Sequence, residues 1–183
     1  DLPVVAEQRG ELAIWPGWKS HTWLCWVAPV GARGATVDAA ARRVSVKGGS
    51  LLGLVDRGSM ARGMVTPLGT VSHTGVGGLT LGGGFGRIAR RYGMAIDNLY
   101  SMDVVTADGQ LRHTSARENP DLFWGLRGGS GNFGVVTNFE FNLHPMQRQV
   151  TAGKLTFPVQ KARDVLSMYA DYARAAPDDL YFD

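Results

Sequence analysis

Pro67-Leu-Gly-Thr-Val-Ser-His-Thr-Gly-Val-Gly-Gly-Leu-Thr-Leu-Gly-Gly-Gly-Phe-Gly86 places eight glycines between Gly69 and Gly86. Glycine reaches positive φ and lets the main chain approach a bound group that a Cβ would hold away. Successive N–H groups can then converge on an anion. The residues between these glycines are largely Thr, Val and Leu, not the Ser and Gln of a flexible linker. The stretch therefore reads as a tight, buried loop that wraps a large ligand carrying phosphates.

A second glycine cluster runs Trp124-Gly-Leu-Arg-Gly-Gly-Ser-Gly-Asn-Phe-Gly-Val-Val136 and contains a literal GxGxxG from Gly129 to Gly134. A dinucleotide turn of the Rossmann kind needs a strand before it and a helix after it. Here a short helix precedes and a β-rich run follows, so that reading fails on context. Two such clusters, far apart in sequence, point to one extended ligand held from two sides.

The remaining segments organise around these clusters. Arg43-Val-Ser-Val-Lys47 alternates as a half-buried strand does, Gly48-Gly49 turns the chain, and Leu51 to Arg62 is a short helix. A helix is expected from Phe85 to Tyr92, ended by Gly93. Tyr100–Thr106 and Leu111–Thr114 read as strands joined at Asp108-Gly109. Asn119 caps a helix with Pro120 in its first turn. Val135 to Leu143 is a long strand with Phe139, Phe141 and Leu143 on one face, and Pro145 breaks it. Lys154–Phe157 reads as a strand. Val159–Ala175 reads as a helix with Val165, Met168, Tyr169 and Tyr172 on one stripe. Strands and helices are mixed, with a hairpin, so the expected class is α+β. Leu2–Val5 and Asp179–Asp183 read as strands without neighbours, which predicts a piece of a longer protein.

Composition narrows the function. Nineteen basic and sixteen acidic side chains leave a net charge of +3, too little for a nucleic-acid footprint. Arg87, Arg90 and Arg91 read either as a solvated helix face or as a phosphate or partner contact. The single cysteine, Cys25, excludes an internal disulfide. No signal peptide and no membrane-spanning run is seen, so a cytoplasmic protein acting on a small molecule is expected, with its oligomeric state open. The four histidines lack metal-ligand spacing. His113 and His144 are expected at the surface. His73 reads either as a loop histidine bonded to backbone or as a polar contact to a cofactor or substrate. Arg127 reads as a phosphate contact or a structural ion pair.

At this point the residues resemble a known family. The matching strings are Lys47-Gly-Gly49 with Leu54-Val-Asp56, Thr66-Pro-Leu-Gly-Thr70, His73 to Gly84, Gly93-Met-Ala-Ile-Asp-Asn98, Val104 to Gly109, Asn119 to Trp124, and Arg127 to Thr137. In unbroken order they resemble the FAD-binding domain of the vanillyl-alcohol oxidase/p-cresol methylhydroxylase (PCMH) type. The likeness is strongest to berberine-bridge-enzyme-like and 6-hydroxynicotine-oxidase-like oxidases. The resemblance implies a PCMH-type domain over residues 1–145, cut short at the N-terminus. Residues 146–183 would then begin an α+β substrate domain.

It further implies an FAD-dependent oxidase that takes hydride from a small organic substrate, with oxygen as acceptor. Gly69, Thr70, Val71, Thr74, Gly75, Gly77, Gly78 and Leu79 would line the cofactor, with His73 beside them. Gly134, Val135 and Val136 would offer backbone. The catalytic base would come from the substrate domain, and no residue here is assigned to it. A non-catalytic FAD-binding fragment and a non-redox nucleotide module are the alternatives.

The chain departs from the family in two places. Val71 stands where a flavin-linking cysteine would be, which excludes a thioether link. No histidine stands near Gln8–Glu11, so a histidyl link is unsupported. Residues 11–32 do not resemble the family and hold four of the five tryptophans. Either an out-of-frame segment or a divergent aromatic segment accounts for them.

Overall fold

Period-two alternation of apolar and polar residues builds the central sheet. The computed structural model describes residues 33–182. Its strands are β1 (Ala35–Asp38), β2 (Arg43–Lys47), β3 (Met64–Val65), β4 (Leu99–Val105), β5 (Leu111–Ser115), β6 (Val135–Asn142) and β7 (His144–Pro145). Its helices are α1 (Leu52–Met60), α2 (Val76–Leu81), α3 (Ala89–Tyr92), α4 (Pro120–Leu126) and α5 (Ala162–Ala175). Five strands form one antiparallel sheet in the order β1-β2-β6-β4-β5, and β3 pairs with β7 in a separate ladder.

The late strand β6 is the middle of the sheet. Phe139 lies opposite Val46 on one side and Met102 on the other, and Phe141 lies opposite Val44 and Leu99. Both rings are fully buried, their centroids 6.0 Å apart. Leu52 and Val55 from α1, Val76 from α2 and Leu126 from α4 join the same core. The opposite face of the sheet is polar. Ser45 Oγ donates to Asn138 Oδ1 at 3.0 Å, and Ser101 Oγ donates to Glu140 Oε2 at 2.9 Å. An antiparallel sheet with helices closing its apolar face is the α+β arrangement.

Several expectations are corrected. The first glycine stretch is not one loop, because Val76–Leu81 within it is helical. Its glycines disfavour a helix, but Val76, Thr80 and Leu81 are buried, and Val76 N–H donates to Ser50 O at 2.8 Å. Most of the segment before that helix is exposed rather than buried. Phe85–Gly86 is not helical, and the helix there is only α3, ended by Gly93 with φ 79°. Gly86 is fixed by close approach, since a Cβ on it would run into the Leu68 carbonyl. Asn119 sits at the start of α4, but with φ 47° and no capping bond, and its side chain donates to His113 O at 2.7 Å instead.

Downstream, Pro145 does not end the pairing, because His144–Pro145 pairs with β3. His144 is half-buried rather than a surface residue: its ring stacks on Tyr92 at 4.2 Å, and its Nε2 lies 2.6 Å from Asn98 Oδ1. Lys154–Phe157 and Asp179–Phe182 form no strand, and the apolar stripe of α5 is exposed or half-buried. The expected strand at Leu2–Val5 and the aromatic segment 11–32 lie outside the described residues. Among the described residues, no helix is long and apolar enough to cross a membrane.

Candidate functional site

The N-terminus of α1 has no side-chain cap, and its first N–H groups have no intrahelical acceptor. The main chain of the first glycine stretch supplies acceptors. Leu52 N–H donates to Thr74 O at 3.0 Å, and Gly53 N–H donates to Ser72 O at 2.8 Å. A further bridge pairs Leu51 with Gly75. Thr70, Val71, Ser72 and His73 are thereby held out as an exposed turn whose ends are strapped to α1.

That turn is a wall between two clefts. Ser72 and His73 line a cleft of about 570 Å³ together with Arg33, Asp56 and Arg57. Gly69 and Thr70 line a second, of about 240 Å³, together with Thr66, Arg87 and Arg148. Asp56 borders both. Asp56 is exposed as a whole residue, but its carboxyl end is screened from water, which raises its pKa above the ordinary 3.8.

The glycines of the two clusters divide by what surrounds them. Gly75 and Gly78 have nothing among the described residues within 4 Å of where a Cβ would be. Gly77 and Gly78 lie in the first turn of α2, where N–H groups lack intrahelical partners. Gly69 instead makes room for Leu79, Gly83 for Met94, and Gly84 for Ala95 and Leu79. In the second cluster, Gly125 and Gly129 make room for the ring of Phe133, while Gly128 and Gly131 face open space. Most glycines of each cluster thus pack the protein against itself, and two in each, Gly75 and Gly78 in the first and Gly128 and Gly131 in the second, have no described neighbour within 4 Å.

The two clusters meet through Gly48. A Cβ on Gly77 would lie 3.0 Å from Gly48 O, a Cβ on Gly48 would collide with Val136 O, and Gly48 N–H donates to Thr137 O at 2.9 Å. Gly48 was legible in sequence only as a turn. Its part in joining the clusters has no sequence signal beyond the Gly-Gly pair after a strand. Gly134, with φ 145°, starts β6 against the Val105 carbonyl. Val135 and Val136 pair with Val105 and Val104, and the Val136 side chain is buried in the core. At Val136 only the main chain is left to meet a ligand, while Val135 is half-buried.

Other candidates resolve as structural. Arg127 Nε donates to Ile96 O at 2.9 Å, and its guanidinium lies 3.5 Å from Asp97. Arg90 is half-buried and donates to Ala173 O at 3.2 Å and Ala176 O at 2.8 Å, so it closes the C-terminal end of α5. His113 is exposed and pairs with Asp103 across β4 and β5 at 2.7 Å. No cluster of three or more metal-ligating side chains occurs among the described residues.

An FAD binding domain matches residues 31–115, which hold the first glycine cluster, α1 and the β4–β5 hairpin. The chain carries an FAD binding domain similar to those of FAD-linked oxidoreductases. One of these, an FAD-linked oxidoreductase of Dictyostelium discoideum, is 38% identical over 79% of this chain and 32% of its own. The crystal structure of 6-hydroxy-D-nicotine oxidase from Arthrobacter nicotinovorans superposes with a TM-score of 0.74 at 33% identity, covering 80% of this chain and 33% of that one. Glucooligosaccharide oxidase from Acremonium strictum, described with 6-S-cysteinyl, 8α-N1-histidyl FAD, superposes at 0.58 with 38% identity, covering 62% and 24%. The chain spans about a third of the length of the curated relatives it matches first. The fold is the PCMH-type FAD-binding domain.

Proposed function

We propose that this chain is the cofactor-binding part of an FAD-dependent oxidoreductase that oxidises a small organic molecule, with oxygen as the electron acceptor. The open positions at Gly75 and Gly78 carry the reading, flanking Gly77, which meets the second cluster through Gly48. A flavin dinucleotide is long and carries a diphosphate, and its donors here would be main-chain N–H groups with no Cβ in the way. FAD, when bound, supplies the hydride acceptor.

The protein's part is to bind and orient. Gly77 and Gly78 would offer the free N–H groups of α2 to the cofactor, Thr70 to Thr74 would line it from their turn, and Gly134 to Val136 would offer main chain from the second cluster. His73, exposed at the larger cleft, would donate a hydrogen bond to cofactor or substrate. Val71 has no nucleophile, so attachment through it is ruled out by its chemistry. Residues 146–183 would open a substrate domain, and the catalytic base would come from that domain, with no residue of this chain assigned to it.

The test is to purify the chain with added FAD and remove free flavin by gel filtration. Flavin absorbance should travel with the protein and be released into the supernatant by acid precipitation. A colourless protein overturns the reading. Colour that stays in the acid pellet overturns the non-covalent assignment.

A further inference from the structure

Arg127 stands in the second glycine cluster, but its side chain bonds main chain that is tied to the first. Its Nε–H donates to Ile96 O at 2.9 Å. Ile96 N–H donates to Gly83 O at 3.1 Å, and Ala95 N–H donates to Gly84 O at 2.8 Å. Gly83 N–H donates to Thr80 O at 3.0 Å, in the last turn of α2. An unbroken run of hydrogen bonds thus joins Arg127 to the C-terminal end of α2 through the buried Gly83.

The other end of α2 is braced separately. Val76 N–H donates to Ser50 O at 2.8 Å, and Gly48, in the same turn as Ser50, donates its N–H to Thr137 O in β6 at 2.9 Å. The helix is therefore held against the second cluster and its strand at both ends. Of these bonds, the one from Arg127 is made by a side chain and the others by main chain. The rest of the guanidinium has weaker company. Its Nη2 lies 3.5 Å from Asp97 Oδ1, a long pair with the Asp97 side chain half exposed, and its Cζ lies 5.4 Å from the centre of the Phe123 ring. A pair of that length and exposure contributes little. Removing the Nε donor would take from the Ile96 carbonyl its short bond.

We infer that Arg127 is a positioning residue for the cofactor: through Ile96 and Gly83 it sets where α2, with Gly77 and Gly78, lies relative to Gly134–Val136. The role rests on the FAD reading above. It requires a donor at the Nε position and does not require the charge. Counted along the side chain, the amide nitrogen of glutamine falls at the Nε position, and the ammonium of lysine falls one bond beyond it. Glutamine keeps the donor without the charge, lysine keeps the charge and misplaces the donor, and methionine keeps the length with neither.

Equilibrium dialysis of the whole chain against FAD, well below each variant's melting temperature, tests the role. Arg127→Met should weaken FAD about tenfold or more, and Arg127→Gln by about threefold or less. Arg127→Lys should bind FAD more weakly than Arg127→Gln. Asp97→Asn should bind FAD as the parent does, since asparagine still offers an oxygen to Met94 N–H. Without FAD, hydrogen exchange at Gly83 and Ile96 should quicken in Arg127→Met while β2 amides keep their protection.

Lysine binding FAD as well as glutamine or better overturns the role, because the charge would then meet the cofactor directly. Parent-like affinity in Arg127→Met overturns it, as does unchanged exchange at Ile96. If Arg127→Met does not fold, the order of the glutamine and lysine variants decides alone. A parent chain that takes up no FAD removes the oxidase reading and this role together. Uptake by the parent, with equal affinity in every variant, removes only the role of Arg127.

Discussion

Gly78 and Gly86 differ in one respect that decides what each tolerates. Among the described residues nothing lies within 4 Å of a Cβ on Gly78, which is helical, whereas a Cβ on Gly86 meets the Leu68 main chain. Gly78→Ala should therefore raise stability by roughly 0.5–1 kcal/mol, because alanine loses less backbone entropy in a helix. It should also lower FAD uptake if that open space is the cradle. Gly86→Ala should lose about 1–3 kcal/mol, since a main-chain neighbour cannot swing aside as a flexible side chain can. Urea titration of both variants, read beside flavin absorbance, checks the opposite signs.

His144 yields the second residue-scale expectation. Asn98 Nδ2 donates to Tyr92 O and Met94 O, so its Oδ1 is the acceptor and His144 Nε2 carries the proton. Burial lowers the His144 pKa below the ordinary 6.5. The unfolded chain then binds the proton more tightly. The stability contributed is complete above pH 6.5 and is lost as pH falls through the folded-state pKa. Asp108 acts in a separate window. Bonds from Thr106, Arg112 and Gln110 N–H hold it at about 2, below its ordinary 3.8, so its contribution disappears only as pH falls from 3.8 towards 2. His144→Gln should flatten the pH dependence of the urea midpoint just below pH 6.5 and leave the Asp108 limb between 3.8 and about 2 unchanged.

Among the elements, α5 depends most on one distant residue. Its apolar stripe is exposed or half-buried, yet Arg90 on α3 donates to two carbonyls at its C-terminal end and lies 5.5 Å from the Phe182 ring. Charge-assisted bonds of this kind are worth about 1.5–3 kcal/mol where they are sheltered, and less here because the guanidinium is only half-buried. Arg90→Ala should loosen α5 without touching the sheet. Hydrogen exchange should quicken from Asp171 to Ala176 while β6 amides keep their protection.

Elements also show how far sequence reading reaches. β6 was legible because a buried sheet face imposes strict alternation, and Phe139 and Phe141 obey it. α2 was not, because Val-Gly-Gly-Leu-Thr-Leu carries two helix-breaking residues. Its helix is held by contacts from Ser50 and the core that no local pattern announces. Lys154–Phe157 alternates correctly but forms no strand, since a strand needs a partner edge as well as a pattern. The glycines announced close approach. Whether each approached the protein or open space required coordinates, because Gly69 and Gly75 look alike in sequence.

On the scale of the whole molecule, the family was legible in the order of the glycine-rich strings, while both clefts were hidden. Their walls come from residues as distant as Asp56 and Arg148, and no spacing rule joins those. The sheet itself has a similar reach. β2 and β4 are separated by more than fifty residues, and each needs an edge of β6 to be complete. During synthesis the two hairpins β1–β2 and β4–β5 would emerge with one open flank each and wait for Val135–Asn142 to thread between them. A topology of that kind folds slowly and offers bare strand edges to other nascent chains. The chain should be prone to co-aggregate when translation outruns chaperone supply, and ribosome-bound pieces ending before Val135 should be digested by protease far faster than those extending past Asn142.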